Sequence, residues 1–231
     1  MDHFEAIYAG QAGPYHRMVA AEDVDGNLLP ALERAAPMRG RHVLDLGSGT
    51  GRIPLLLRGV AARVTALELS AAMLREQRLR REESGENWAL VRGDMRFLPV
   101  ADACADVVTA GWAIGHLTGW HPDGWRGQAS LVLREMLRAA APGGALVVME
   151  TMTTGALAPA PPSPVLAEYY TWLEGEWGFR REVIQTDYRF ADVDEAVACT
   201  RFFFGDELAE KIRANGWARL PEWTGVWSRP V

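Results

Sequence analysis

Residues 42–51 read HVLDLGSGTG, and no other run says more about the architecture of this chain. A short apolar strand that contains Asp45 leads directly into a turn with glycine at every second position. Glycine reaches positive φ angles and lets a ligand approach the backbone closely. The helix that follows the turn offers free N–H groups to electron-rich ligand atoms. The run therefore predicts a strand, a ligand-binding turn and a helix.

A second acidic residue supports this interpretation. Glu68 ends the next apolar run, 63–68, at a distance from the turn close to the roughly 20 residues typical of nucleotide-binding βαβ units. An acid at this place can accept hydrogen bonds from ribose hydroxyls. Dinucleotide-binding proteins carry G-x-G-x-x-G at the turn, whereas this chain carries G-x-G-x-G. The predicted members of the nucleoside site are Asp45, Gly47, Ser48, Gly49, Gly51 and Glu68.

The middle of the chain alternates between strand-like and helical patterns. The strand-like runs are 42–46, 63–68, 88–92, 105–110 and 144–150, and the helical stretches are about 51–59, 70–83 and 125–140. Such alternation predicts an α/β fold with a doubly wound parallel sheet that has helices on both faces. In such sheets the ligand binds at the carboxyl ends of the strands.

A single domain with four parts is expected. Residues 1–40 form an N-terminal helical cap, 41–150 the cofactor-binding core, 151–180 a lid or acceptor-binding insertion, and 181–231 the C-terminal part of the sheet. The insertion begins with a run rich in Pro, Thr and Ala and continues with four aromatic residues at roughly helical spacing. After a strand-like run at 182–190, a helical stretch is broken near Gly205, and a last strand-like run covers 222–229.

Composition excludes several classes of protein. A net charge of −6 disfavours a nucleic-acid partner, because phosphate binding needs a basic face. Cys104 and Cys199 match no metal-binding or redox spacing. The polar N-terminus and the lack of a long apolar run predict neither a signal peptide nor a membrane span. We therefore expect a cytoplasmic protein without metal or membrane partners, and the sequence leaves a homodimer open.

The glycine turn behind Asp45 resembles motif I of the class I S-adenosylmethionine-dependent methyltransferases, of the small-molecule type. The resemblance implies a mostly parallel, seven-stranded Rossmann-like sheet with N-terminal helices and a lid insertion after strand five. It implies S-adenosyl-L-methionine as the cofactor, with the turn against its methionine part and Glu68 on its ribose hydroxyls.

The resemblance also assigns roles further along the chain. Asp94 would accept from the adenine amino group while Met95 packs on the ring, and the exit of the fourth strand would lie beside the sulfonium group. An N-terminal tyrosine, Tyr8 or Tyr15, would cover the cofactor. The remaining residues that we expect to bind cofactor are Leu69, Met73, Gly111, Trp112 and Tyr15.

His116 is the candidate catalytic residue. It follows the fourth strand closely, and its ordinary pKa near neutrality suits a general base that takes a proton from an acceptor. The alternative is a histidine that caps the loop or packs beside Trp120.

Three kinds of function remain open at this point. The first is methyl transfer by in-line displacement to an O or N atom of a small, compact acceptor, with general-base help from His116. The second is a cyclase or lyase of the same fold that consumes S-adenosylmethionine and releases methylthioadenosine. The third is a non-catalytic ligand-binding scaffold. An NAD-dependent dehydrogenase is disfavoured because the chain has one lysine, Lys211, and no evident catalytic Tyr/Lys pair.

Overall fold

A computed structural model describes residues 2–231. The helices are α1 (His3–Gly10), α2 (Ala12–Ala20), α3 (Leu28–Ala35), α4 (Arg52–Leu56), α5 (Ala71–Ser84), α6 (His116–Trp120), α7 (Trp125–Ala139), α8 (Pro164–Gly175) and α9 (Val193–Asn215). The strands are β1 (His42–Leu46), β2 (Arg63–Glu68), β3 (Ala89–Arg92), β4 (Ala105–Gly111), β5 (Ala140–Thr154), β6 (Arg180–Gln185), β7 (Tyr188–Arg189), β8 (Arg219–Leu220) and β9 (Glu222–Pro230).

Seven strands form the central sheet in the order β3-β2-β1-β4-β5-β9-β6. The pairs from β3 to β5 are parallel, whereas β9 runs antiparallel to both β5 and β6. The sheet order reverses between β1 and β4, which leaves a crevice at the carboxyl ends of these two strands. The predicted fold class, a mostly parallel seven-stranded Rossmann-like sheet, is confirmed.

Both faces of the sheet are buried, as the alternation along β1 shows. Leu44 and Leu46 pack into a cluster with residues of α7, whereas Val43 packs into a second cluster with Leu32 of α3. Neighbouring side chains of a strand point to opposite faces, so a strand covered on both faces is apolar along most of its length. This burial makes Asp45 conspicuous, because a carboxyl in such a strand loses its hydration.

The helix boundaries follow local sequence signals. The side chain of Ser70 accepts a hydrogen bond from the Met73 amide and caps α5, as its place before the helical run predicts. Gly205 interrupts α9 with φ of 84° and ψ of −175°, which confirms the predicted break.

Two strand predictions differ from the structure. The run 182–190 is divided between β6 and β7, because the buried carboxylate of Asp187 accepts from the Glu222 amide and from Arg219 and so interrupts regular pairing. Strand β5 is longer than the predicted 144–150, since the antiparallel partner β9 extends its pairing to Thr154.

The segment 151–180 is packed into the protein. Tyr169 and Leu173 of α8 are completely buried in the cluster that covers one face of the sheet, and the ring of Tyr170 lies 4.6 Å from that of Trp227. The expected role of this segment as a lid stays a prediction, and its helix is firmly anchored. Within residues 2–231, no helix has both the length and the apolar character that crossing a membrane requires.

Candidate active site

The glycine turn between β1 and α4 is tightly packed. Gly47 has φ of +64°, and a Cβ added there would lie 2.6 Å from the Cβ of Ala113 in the loop after β4. Only glycine fits such a position without moving the backbone on the other side. Gly51, at φ of +93°, lies behind the turn, where an added Cβ would collide with the buried side chain of Gln77. The two glycines therefore hold the turn against α5 and the loop after β4.

Glu68 ties the turn to the start of α5. One carboxylate oxygen accepts from the Gly49 amide at 2.9 Å, and the other accepts from the Ser70 amide at 2.7 Å. Burial raises the pKa of this carboxyl, while the amide hydrogen bonds act in the opposite direction. A carboxylate has about four lone-pair directions, so Glu68 keeps capacity for ligand hydroxyls.

Asp45 lies at the floor of the same crevice. Its Oδ1 accepts from the hydroxyl of Thr109, the neighbouring residue on β4, at 2.7 Å. Within residues 2–231 its buried Oδ2 has no hydrogen-bond partner. Burial raises the pKa of Asp45 to about 7, and the Thr109 hydrogen bond lowers it only in part. An orphaned buried oxygen at the edge of a cavity is a place where a ligand donor can be satisfied.

These groups surround a cavity of about 570 Å³, a volume in the range of small-molecule and cofactor sites. Thirteen of the predicted site residues line it: Tyr15, Asp45, Gly47, Ser48, Gly49, Glu68, Leu69, Met73, Asp94, Met95, Gly111, Trp112 and His116. Gly51 does not line this cavity and supports the turn from behind. The apolar side chain of Leu69 is 56% exposed, which fits a rim that covers a flat ligand ring.

Asp94 follows β3 at the edge of the cavity, where sequence places it. Its carboxylate is engaged by the guanidinium of Arg96, with contacts down to 2.6 Å. These hydrogen bonds hold the pKa of Asp94 below its ordinary value. The group is therefore an anion fixed in place, and its role toward an adenine amino group stays a prediction.

Trp112, at the exit of β4, has an unusual backbone. Its φ is +50°, in the left-handed region that costs a residue other than glycine about 1–2 kcal/mol. The Trp112 amide donates to the Met149 carbonyl at 2.6 Å, and the guanidinium of Arg52 stacks 3.9 Å from the ring centroid. Strain of this kind persists where the surroundings fix it, and it concentrates at functional sites.

A second cavity, of about 700 Å³, shares Trp112 and other lining residues with the first. Trp112, His116 and Trp120 line both cavities, together with Tyr8 and Tyr15 from the N-terminal helices. We call these five residues the shared wall. The cavity also receives residues of α8 and of the kinked helix α9. A ligand in each cavity would face the other across the shared wall.

His116 is central to this wall. Its Nε2 lies 2.8 Å from the hydroxyl of Tyr8, and its ring stacks on Trp120 with centroids 5.1 Å apart. The ring is partly accessible from the cavities but enclosed by protein, and this burial lowers its pKa to about 4. The imidazole is therefore neutral at pH 7. It does pack beside Trp120, as the alternative interpretation expects, and it also faces the ligand space.

Sequence reasoning missed three polar groups of the second cavity. Glu150, near the end of β5, is 5% exposed, and burial raises its pKa to about 8. Arg52 and Glu22 form a buried ion pair at 2.7 Å beneath Trp112. Glu150 could have been found as the acid that ends the apolar run 144–150, in the manner of Glu68. Arg52 and Glu22 belong to separate parts of the chain, and no sequence motif links them.

Comparisons with known proteins agree with this geometry. Residues 44–148 match a family model described as a methyltransferase domain. Malonyl-(acyl-carrier protein) O-methyltransferase of Pectobacterium atrosepticum is 32% identical over 146 residues, which are 63% of this chain and 51% of the relative. Ubiquinone/menaquinone biosynthesis C-methyltransferase of Rubrivivax gelatinosus is 32% identical over 119 residues, which are 52% of this chain and 43% of the relative. The chain thus spans about half the length of the curated relatives it matches.

Solved structures show the same fold. An S-adenosylmethionine-dependent methyltransferase of Aquifex aeolicus superposes with a TM-score of 0.59 at 17% identity, covering 94% of this chain and 98% of that protein. This likeness extends beyond the matched segment to the N-terminal helices and the C-terminal strands.

Proposed function

We propose that the protein transfers the methyl group of S-adenosyl-L-methionine to a small molecule, because residues 44–148 match a family model described as a methyltransferase domain. The observation that carries the proposal is the pair of cavities that meet at the shared wall. One cavity is framed by the glycine turn, Glu68 and Asp94, and the other is large enough for an acceptor.

The first cavity suits the cofactor, which supplies a methyl group activated by positively charged sulfur. Glu68 offers carboxylate oxygens for the ribose hydroxyls, and Asp94 offers an acceptor for the adenine amino group. Leu69, Met73 and Met95 present apolar surface to the adenosyl part. The turn from Gly47 to Gly49 borders the cavity and is proposed to hold the amino-acid part.

The second cavity suits a small acceptor with an O or N nucleophile. An enzyme of this kind mainly aligns the two reacting atoms, and the shared wall places its two ligand spaces side by side. The acceptor cavity is lined by residues of several elements and not by a basic groove, so the proposed partner is a small molecule and not a nucleic acid.

We propose an orienting role for His116 in place of the general-base role that the sequence predicts. It reaches both cavities and shares a hydrogen bond with Tyr8, so we propose that it orients the acceptor at the wall. A pKa of about 4 makes its neutral imidazole a weak proton acceptor and therefore a poor general base.

The test is mass spectrometry of S-adenosylmethionine incubated with the protein, alone and with a panel of aromatic amines, phenols and amino acids. Formation of S-adenosylhomocysteine with a methylated panel compound supports the proposal. Protein-dependent methylthioadenosine without an acceptor would instead establish the cyclase or lyase reaction. Intact cofactor under all conditions, despite measurable binding of S-adenosylhomocysteine, would favour the scaffold.

A further inference from the structure

The charges in the acceptor cavity are unequal. Four acidic residues line it, whereas the basic residues that line it are Arg52 and Lys211, within the part of the chain from 2 to 231. Arg52 is already paired with Glu22 at 2.7 Å, and the carboxylate of Asp2 caps α1. Acidic residues therefore outnumber basic ones around the cavity, which disfavours an anionic acceptor.

Glu150 is the acid best placed to meet the acceptor. Its neighbour Met149 accepts the Trp112 amide at 2.6 Å, and Glu150 itself accepts the amide of Gly115 at 2.8 Å, next to His116. Both contacts join β5 to the loop after β4, which carries Trp112 and leads to His116. The carboxyl of Glu150 is therefore held near the place where the two ligand spaces meet.

One oxygen of this carboxyl is fixed and the other is available. Oε1 accepts from the Gly115 amide and from the hydroxyl of Tyr169 at 3.5 Å, whereas Oε2 has no hydrogen-bond partner among residues 2–231. Gly115 makes the space, because a Cβ at this residue would lie 2.9 Å from Oε2. Orientation through one oxygen with the other left open is the arrangement of a group that binds a ligand donor.

Aromatic rings complete the surroundings. Nine Phe, Tyr and Trp side chains line the acceptor cavity, including Phe4, Tyr170 and Phe203. The faces of such rings attract cations, and more strongly where water is excluded. A buried carboxyl among aromatic rings matches the chemistry of a protonated amine and not that of a carboxylate.

We infer that the acceptor is an amine, and that Glu150 is a catalytic residue that binds its amino group through Oε2 and takes its proton during methylation. This inference rests on the proposed methyl transfer. The protonated amine first passes one proton to the Glu150 carboxylate, which frees the nitrogen lone pair. That lone pair then forms the nitrogen–methyl bond while the carbon–sulfur bond breaks, and sulfur keeps the bonding pair.

The titration of Glu150 agrees with this geometry. Burial raises its pKa to about 8, so it exchanges a proton near neutral pH, which a general base must do. The titratable side chains around it are Tyr8, His116, Tyr169 and Tyr170; burial and the charge of Glu150 raise the pKa of the three tyrosines. Since His116 is neutral as well, Glu150 is the one of these five groups that changes charge near pH 7–8.

The test uses calorimetry on the protein saturated with S-adenosylhomocysteine, with three matched probes: 2-phenylethylamine, 2-phenylethanol and 3-phenylpropanoate. We expect the amine to bind more tightly than the acid, and Glu150→Gln to weaken the amine by at least about 10-fold while changing the alcohol by less than about 3-fold. Glu168→Gln is the control, because this exposed residue of α8 pairs with Arg126 at the surface. It should leave all three affinities unchanged.

A second readout uses the wild type alone and does not depend on how the variant folds. Near pH 6.5, binding of the ammonium form should release close to one proton from Glu150, measured from the heats in buffers of different ionisation enthalpy. Three results would overturn the inference in a protein that binds S-adenosylhomocysteine. They are binding of the acid as tight as that of the amine or tighter, binding of the amine without proton release, and no binding of the amine. Failure to bind S-adenosylhomocysteine would instead count against the proposed function itself.

Discussion

Replacing Gly47 by alanine should disrupt the cofactor turn, and its cost can be worked out from two terms. A residue other than glycine at φ of +64° loses about 1–2 kcal/mol. The new methyl group would lie 2.6 Å from the Cβ of Ala113, which is fixed to the backbone and cannot rotate away. Overpacking of this kind costs typically 1–3 kcal/mol. The two terms together lower the free energy of unfolding by about 2–5 kcal/mol.

Gly59→Ala is the matched control. Gly59 has nearly the same backbone angle, with φ of +69°, but a Cβ added there would have no atom within 4 Å. This variant should therefore lose only the backbone term of about 1–2 kcal/mol. The additional loss of unfolding free energy in Gly47→Ala then measures the cost of the steric contact between the turn and the loop after β4.

The assay is urea denaturation of both variants without cofactor, followed by thermal protection with S-adenosylhomocysteine. Gly47→Ala should be less stable than Gly59→Ala and should lose most of its protection, because the displaced turn and the Ala113 loop both border the cofactor cavity. Equal stability and equal protection in the two variants would refute this description of the turn.

Four further outcomes follow. Glu68→Gln should weaken the binding of S-adenosylhomocysteine, measured by calorimetry, by about 10-fold or more. An amide cannot accept from two backbone N–H groups and two ribose hydroxyls. Glu82→Gln, at an exposed residue, should leave the affinity unchanged. The free energy of unfolding of Asp45→Asn should rise relative to that of the wild type, by up to about 4 kcal/mol, as the pH rises from about 4 to above 7. The reason is that folded wild-type protein keeps a proton on Asp45 that the unfolded chain has lost. A difference in urea unfolding that stays constant across this pH range would contradict the prediction. Gly115→Ala should lower the rate of methyl transfer, because the added methyl group would contact the carboxyl of Glu150. Calorimetry should show an S-adenosylhomocysteine affinity within about 3-fold of the wild type. An equal loss of rate and affinity would contradict this expectation. His116→Ala should also keep that affinity. If Glu150 takes the proton, the acidic limb of the wild-type kcat/KM profile, which reports the free protein, should lie near pH 8 and not near pH 4.

The sequence was most informative where a local pattern predicts both the secondary structure of a segment and the cavity that its residues border. The run 42–51 placed β1, the turn and the start of α4, and the spacing of Glu68 placed the second acid at the same crevice. These features succeed because parallel strands of one sheet end at a common edge, so residues after successive strands meet in space.

Other parts depend on packing that no motif encodes. Tyr8 reaches His116 only because α1 folds across the carboxyl ends of the strands, 108 residues away in sequence. Glu22 meets Arg52 because the segment after α2 lies against the start of α4. The charge state of a group also depends on its enclosure: the pKa of His116 falls to about 4 and that of Glu150 rises to about 8 through burial. An ordinary histidine pKa therefore misleads at this position.

Calorimetric titration of the wild-type protein with S-adenosylhomocysteine, repeated in the presence of NAD, shows whether the first cavity is a cofactor site. We expect one site per chain with a dissociation constant below about 1 mM, and we expect NAD not to compete for it. No binding up to about 1 mM, or displacement by NAD, would contradict the assignment of the glycine turn, Glu68 and Asp94 to this cofactor.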